Sequence, residues 1–296
     1  MAYVRIMVTP VLEATLKTIV LTRLAINLAN DRDLFASASA MFLDPEWFNR
    51  RLGLFEQYAL KSMARQRVSP DAWFIGVDVR MAEHFSAFTG ELPSYADWLL
   101  LDPGEFFRDS VRNLCSGFGD DVLTIRLDSD DMVHPTFIAR AIRSSRPNRG
   151  LNFSHGLQFF LGSGALVHRS IRSNPTVGFR ARNCDINVHD FGSHANVAKV
   201  AKMTNIWTMG PLYLKTSHDA NVAYFQPNGV PVIWRDTVLR RFGVVPPGKG
   251  FFARDKISTL VSYFGFRINK ALPKLARQIE KARNSGAFPP DSGAPK

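Results

Sequence analysis

Leu123-Thr124-Ile125-Arg126-Leu127-Asp128-Ser129-Asp130-Asp131 is a β-branched and apolar run that stops abruptly at three carboxylates within four residues. Pro135 then opens a short helical pattern. In a β-to-α connection such a cluster lies at the carboxyl end of a strand, where open α/β sheets bind ligands. Three anions crowded there repel one another. They are tolerable if a divalent cation bridges them to a substrate, and Mg²⁺ or Mn²⁺ prefers oxygen ligands of this kind. Substrates that arrive with a hard cation are usually phosphorylated, so the motif points to a metal-assisted site for a nucleotide-linked donor.

Other motifs fit less well. A calcium-binding EF-hand loop starting at Asp128 needs Gly and Glu where Val133 and Ala139 stand, which excludes it. A dehalogenase-type phosphatase wants an uninterrupted apolar strand and a Thr or Val after the second Asp. Arg126 and Met132 break both requirements. Neither a P-loop nor a Gly-rich dinucleotide fingerprint is present. A solvated Asp-rich turn capping the helix at Pro135 is the plain alternative, but a cap needs one acidic side chain rather than three.

The 296 residues allow one large α/β domain with extensions, or two modest ones. An apolar fraction of 46% with 23 Phe supplies a sizeable core and excludes a disordered chain. No run of 18 apolar residues exists to span a bilayer. Glu13 and Lys17 interrupt the N-terminal apolar stretch, so it does not read as a signal peptide and a cytoplasmic protein is the expectation. Cys115 and Cys184 form neither a C-x-x-C pair nor a disulfide framework, and both read as buried small hydrophobes. The net charge is +11, and residues 251–296 hold nine Lys or Arg against three Asp or Glu. Such a basic end suits anionic lipid, nucleic acid or an anionic glycan, or is simply a solvated surface.

Lys17 to Leu24 reads as a buried strand, followed by an Asn- and Asp-rich loop over 27–33. Asp44-Pro45-Glu46 is a helix start, with Asp at the cap and Pro at the first helical position. Phe48, Leu52, Phe55 and Ala59 give that helix an apolar face to about Gln66, with Arg50 and Arg51 turned outward. Trp73 to Val77 is a second strand, ending at Asp78. This βαβ unit predicts a parallel sheet with helices on its faces. Residues 82–106 carry no clear pattern. Helices are expected over Phe107 to Leu114, Pro135 to Ser145 and, capped by Ser193, through Lys202. Residues 152–182 read as β, and Trp207 to Lys215 as a strand. The segment 257–283 reads as helical and basic, with an apolar stripe broken at Pro273, and 286–296 as a disordered tail.

Several of these segments, in this order, resemble one bacterial family. They are Trp47-Phe48-Asn49-Arg50-Arg51-Leu52-Gly53-Leu54-Phe55-Glu56, then Leu60-Lys61-Ser62 and Gln66, then Trp73-Phe74-Ile75. Thr22-Arg23 resembles the family's first-strand ending, and Thr124 to Asp131 with Phe137-Ile138 its acidic motif. Leu212-Tyr213-Leu214-Lys215, His218 and Asn221 resemble its late motif. The family is the putative rhamnosyltransferases, and the likeness spans about residues 18 to 225. Lys61 departs from it, standing where the family usually has Pro.

The resemblance implies a GT-A-like nucleotide-diphospho-sugar transferase fold. This is a Rossmann-like α/β sheet with helices on both faces, here as a catalytic domain over 1–225. A partly helical, basic extension over 226–285 and the tail at 286–296 would follow. It also implies a bacterial, metal-dependent glycosyltransferase with a DXD motif, using Mn or Mg. The sugar would pass from a nucleotide-diphosphate donor to a glycan, lipid-linked or other hydroxyl acceptor. By resemblance Asp128 contacts the ribose or, through water, the metal; Asp130 holds the metal directly; His218 is a candidate third ligand. Asp131 either helps or caps the next helix. Thr22, Arg23 and Asp78 would hold the base and diphosphate. Arg126, costly to bury alone, either pairs with a carboxylate or reaches the diphosphate. Asp190 and Asp185 are candidates for the base that deprotonates the acceptor, with His189 and His194 nearby.

The basic C-terminal stripe suits a peripheral contact with the inner face of the membrane, or folds onto the catalytic domain. The alternative to an enzyme is an anionic-polymer or sugar-binding protein on the same fold without turnover. Nucleic-acid binding wants aromatic residues interleaved with the basic ones, and Tyr263, Phe264 and Phe266 give only a faint version of that.

Overall fold

The computed structural model describes residues 15–26, 42–162, 164–170, 176–182, 185–192, 194–208, 210–218, 230–232 and 235–244. The expected loop at 27–33, Cys184, the Ser193 cap, Asn221, the basic segment 257–283 and the tail lie outside these residues.

The larger of two sheets is built around β1 (Lys17–Ala25), β2 (Ala72–Asp78), β3 (Ala96–Leu101) and β4 (Asp121–Arg126). The smaller sheet starts from the short β5 (Met132–Val133). β6 (Arg149–Phe153), β9 (Val177–Arg182) and β10 (Met203–Ile206) complete the larger sheet, in the order β10-β6-β9-β4-β1-β2-β3. β9 is antiparallel to both its neighbours, and the other pairs are parallel. The carboxyl ends of six strands therefore share one edge of the sheet. β7 (His155–Phe160), β8 (Leu166–Ser170), β11 (Tyr213–Ser217) and β12 (Val230–Pro231) join β5 in the smaller sheet, ordered β12-β8-β7-β11-β5.

β1 is apolar on both sides, as a strand buried between two helical layers must be. Val20 and Leu24 face one layer, Ile19 and Leu21 the other. The first layer holds α1 (Pro45–Leu54), which continues through a π-helical turn, Phe55–Leu60, to Met63. The Asp44 carboxylate accepts the Glu46 N–H at 3.0 Å, and Phe48, Leu52 and Phe55 are buried against Trp73 and Ile75. The second layer holds α2 (Phe107–Cys115), through Phe107, Val111 and the buried Cys115. The expected α/β sheet covered on both faces is what forms.

Ties between side chain and backbone fix the first layer. Glu56 accepts the N–H groups of Thr89 and Gly90. Gln66 donates to the His134 carbonyl and accepts the Ile138 N–H, holding the end of the α1 segment to α3 (Phe137–Ser144). The Ser62 hydroxyl accepts the Val133 N–H.

Some elements differ from expectation. Pro135 and Thr136 form a turn, so α3 begins only at Phe137. Residues 82–106 contain β3, preceded by a 3₁₀ segment, Val79–Ala87, and β3 pairs in parallel with β2. Thr22 lies inside β1 rather than at its end, because pairing with β2 continues to Ala25. The strand expected from Trp207 does not form there. The run is broken at Gly210-Pro211, leaving β10 before it and β11 after it, with Trp207 70% exposed between them. The helix expected to reach Lys202 is α4 (His194–Val200). Past residue 225, β12 pairs with β8, and α5 (Arg235–Phe242) buries Leu239 and Phe242 against Leu157 and Leu166. The packed body thus runs to at least Val244.

Phe55→Ala should cost about 3–5 kcal/mol of unfolding free energy, because its ring is fully buried among Trp73, Phe88 and Trp98. Urea titration measures this. A loss below about 1 kcal/mol would be that of a surface change.

Candidate active site

β4 ends at Arg126, and the acidic motif follows it directly at the carboxyl edge of the larger sheet. Leu127 donates its N–H to the Leu21 carbonyl, which holds the start of the motif against β1. β11 approaches from the other sheet. Thr216 donates its N–H to Asp131 Oδ1 at 2.9 Å and its hydroxyl to the Asp130 carbonyl at 2.8 Å. The motif is therefore clamped between the two sheets, and Asp130 and Asp131 are buried.

Each carboxylate meets a different environment. Asp130 is forked by Arg51, with Nη1 3.1 Å from Oδ2 and Nη2 3.3 Å from Oδ1. His218 Nε2 lies 2.9 Å from the same Oδ2. Burial raises the Asp130 pKa, but Arg51 and His218 outweigh it and hold the group far below the usual carboxylate range. Burial also works on Asp128, and there Arg126, Lys215 and Arg23 win, so its pKa is lowered too. Arg126 Nη2 is 2.8 Å from Asp128 Oδ1. Asp131 goes the other way. Burial dominates, the negative charges of Asp130 and Asp128 add to it, and its pKa rises well above the ordinary value despite Lys215 and the Thr216 N–H. Asp131 Oδ2 is buried with no hydrogen-bond partner among the described residues.

Four cationic side chains, Arg23, Arg51, Arg126 and Lys215, thus act on the acidic motif, where the pKa values of Asp128 and Asp130 are lowered and that of Asp131 is raised. His189 adds no charge. Its ring is buried edge-on to Phe107, and burial with Arg23 and Arg126 nearby keeps its pKa well below the ordinary value. Cationic side chains gathered at the carboxyl ends of parallel strands suit an anion.

The three expected metal ligands do not converge. Among the described residues, no group of three His, Cys, Asp or Glu side chains is arranged to hold one ion. Asp128 turns to Arg126, whereas Asp130 and His218 meet. The 2.9 Å between Asp130 Oδ2 and His218 Nε2 is a hydrogen bond, and Arg51 engages both oxygens of the same carboxylate.

The profile of the family described as "Putative rhamnosyl transferase" matches residues 21–228. The chain belongs to this family. As a member of a rhamnosyl transferase family it is a glycosyltransferase, and its parallel-rich sheet with helices on both faces is the GT-A-like arrangement that the resemblance implied. No curated protein matches the sequence. Among solved structures, it is similar to a putative nucleotide-diphospho-sugar transferase from Desulfovibrio desulfuricans G20, at 11% identity and TM-score 0.33 over 83% of this chain and 97% of that one. It is also similar to S. aureus TarS 1–349 in complex with UDP-GlcNAc, at 11% identity and TM-score 0.33 over 84% and 73%.

Other residues of this rhamnosyl transferase family member fall out as follows. Arg23 lies beside Asp128, as its sequence position suggested. The Thr22 hydroxyl is fully buried and accepts the Trp73 indole N–H at 2.9 Å, a packing role. Asp78 is forked by Arg80, at 2.8 and 2.7 Å, and caps the segment that follows β2. Asp190 is bound by Arg112 at 2.5 Å and by the Asn187 N–H at 2.6 Å, closing the turn of residues 187–190 onto α2. Asp185 is exposed and makes no hydrogen bond among the described residues. Arg51 corrects the helix reading: it is turned inward, its side chain 11% exposed. The apolar spacing alone put it on the solvent face. The missed signal was that three adjacent carboxylates require more buried cations than Arg126 supplies. Lys215 was missed as a charge partner for the same reason.

His189 sets a pH dependence. Its folded-state pKa is depressed, so the stability is present above the unfolded-state value of about 6.5 and is lost as pH falls below it. His189→Gln should therefore lose less thermal stability between about pH 7.5 and 5.5 than the wild type does. Melting curves at the two pH values check this. An equal or larger loss in the variant would contradict it.

Proposed function

We propose that the chain transfers a sugar from a nucleotide-diphosphate donor bound with Mn²⁺ or Mg²⁺ to a hydroxyl on a glycan or lipid-linked acceptor. The observation that carries this reading is the gathering of Arg51, Arg126, Arg23 and Lys215 around the buried acidic motif, next to the Asp130–His218 pair. Guanidinium groups bind the phosphate oxygens of a diphosphate bidentately.

In this reading Asp130 and His218 hold the cation. When bound, that ion stabilises the charge that develops on the leaving diphosphate. Arg126 orients Asp128 by its ion pair, so that the Asp128 carboxylate is presented to the donor rather than to the ion. Asp131 is held by the Thr216 N–H. On the smaller sheet Lys215 lies in register with Gln158, which accepts from Arg169 and donates to Ser217.

For the acceptor proton, Asp190 and Asp185 differ in what they must give up. Asp190 would have to leave Arg112 and the Asn187 N–H, and Asp185 nothing among the described residues. The membrane contact through the basic segment 257–283 lies outside the described residues.

Asp130→Ala should weaken binding of UDP, dTDP or GDP in the presence of Mn²⁺ by tenfold or more for whichever nucleotide binds the wild type, about 1.4 kcal/mol. Isothermal calorimetry on protein with an unchanged circular dichroism spectrum measures it. Equal affinity in wild type and variant would remove Asp130 from the site.

A further inference from the structure

A second cluster lies away from the acidic motif, where β10 ends and β7 begins. Trp207 follows β10 directly and is 70% exposed. Its indole lies nearly parallel to the His155 ring, with centroids 6.4 Å apart and an interplanar angle of 28°. His155 is fixed behind it. Its Nδ1 lies 3.2 Å from the Thr208 carbonyl, and its Nε2 lies 3.1 Å from His168 Nδ1. Burial and the neighbouring His155 hold the His168 pKa below the ordinary value, which favours the neutral ring. A carbonyl only accepts, so the proton sits on His155 Nδ1, and His155 Nε2 accepts from His168. His168 Nε2 is then an acceptor with no hydrogen-bond partner among the described residues. Asn205, two residues before Trp207, is exposed. Its Oδ1 accepts from Asn152 at 2.9 Å, and its own amide N–H groups have no partner among the described residues.

The strand register places this cluster on the edge that carries the acidic motif. Ile125 and Leu151 both pair with Gly178, and Leu151 pairs with Thr204. β4, β6 and β10 run in the same direction, so Asp128 and Trp207 each follow that common level by three residues. Three strand spacings separate β4 from β10, about 14 Å. A transferase needs its second substrate within reach of the donor but on different side chains. We propose, on the transfer reading above, that Trp207 is a stacking platform for a sugar ring of the acceptor, which makes that acceptor a glycan. A pyranose presents a face of C–H groups and a rim of hydroxyls. The indole face opposite His155 takes the first, and the Asn205 amide and His168 Nε2 offer a donor and an acceptor for the second. An exposed Trp alone is ordinary. One backed by a ring with two partners of its own loses less freedom when a ligand settles on it. The distance from the motif sets this sugar back from the hydroxyl that reacts, so the acceptor is an oligosaccharide rather than a single sugar.

Saturation-transfer difference NMR on the full chain tests this, with the methyl glycosides of rhamnose, glucose, galactose and N-acetylglucosamine as probes. At least one should bind the wild type, with saturation strongest on the C–H protons of one ring face. Trp207→Ala should weaken that binding roughly threefold to tenfold. Trp207→Phe keeps an aromatic face and should retain most of it. The side chain is exposed, so neither change opens a cavity in the core. Glycoside binding that is absent, or equal in the wild type and Trp207→Ala, overturns the platform and leaves the donor reading in place if UDP, dTDP or GDP still binds by calorimetry. A fall in nucleotide affinity in Trp207→Ala would put a nucleobase on the ring and overturns the proposal as well. So does a wild-type dimer in sedimentation that the variant lacks, since the ring would then belong to an interface with a second copy. If glycoside binding depends on Trp207 but the wild type binds none of the nucleotides, the sugar platform stands and the donor reading fails instead.

Discussion

The buried charge balance at Asp130 is the interaction on which the rest of the structure depends. Three adjacent carboxylates at the end of β4 cannot all be buried and ionised, since each lost hydration costs several kcal/mol unless a partner repays it. Four parts of the chain supply the partners: Arg23 from β1, Arg51 from α1, Arg126 from β4, and Lys215 with His218 from β11 and the residue after it. Asp131 accepts the Thr216 N–H, and burial raises its pKa well above the ordinary value. The strand order, the inward turn of Arg51 and the approach of β11 are the structural means by which these groups reach one point.

Scaffold and chemistry are close neighbours in this chain. Several residues that mark the family hold elements together. Glu56 ties the α1 segment to residues 89–90, Ser62 and Gln66 tie it to β5 and α3, and the Trp73 indole is anchored on Thr22. Each has a defined partner, and the Ser62–Val133 and Trp73–Thr22 bonds are buried, where losing one leaves a polar group unsatisfied. They fix the position of α1, and through it Arg51 over the acidic motif. A feature of the family sequence can thus matter to the site without touching it.

The fold was largely legible in the sequence because its signals are local. The doubly apolar β1, the Asp44-Pro45 cap and the apolar spacing from Phe48 to Phe55 each report a short stretch of chain, and each formed where expected. The site was only partly legible. Asp130 and His218 do meet, and Arg126 does pair with a carboxylate. But Thr22, Asp78 and Asp190 have partners in Trp73, Arg80 and Arg112, and no spacing rule reveals those contacts. Arg51 was misplaced because a periodicity argument sees one helix at a time. The charge that turns the side chain inward lies 79 positions away in sequence.

If the cluster at the end of β4 turns over a nucleotide-sugar, nucleoside diphosphate is released from a panel of nucleotide-sugars, measured with the full chain in Mn²⁺ and again with excess chelator. The expected result is release from at least one donor and its loss on chelation. Release that is unaffected by chelation would contradict the metal-assisted mechanism, and no release from any donor that the protein binds would contradict turnover itself.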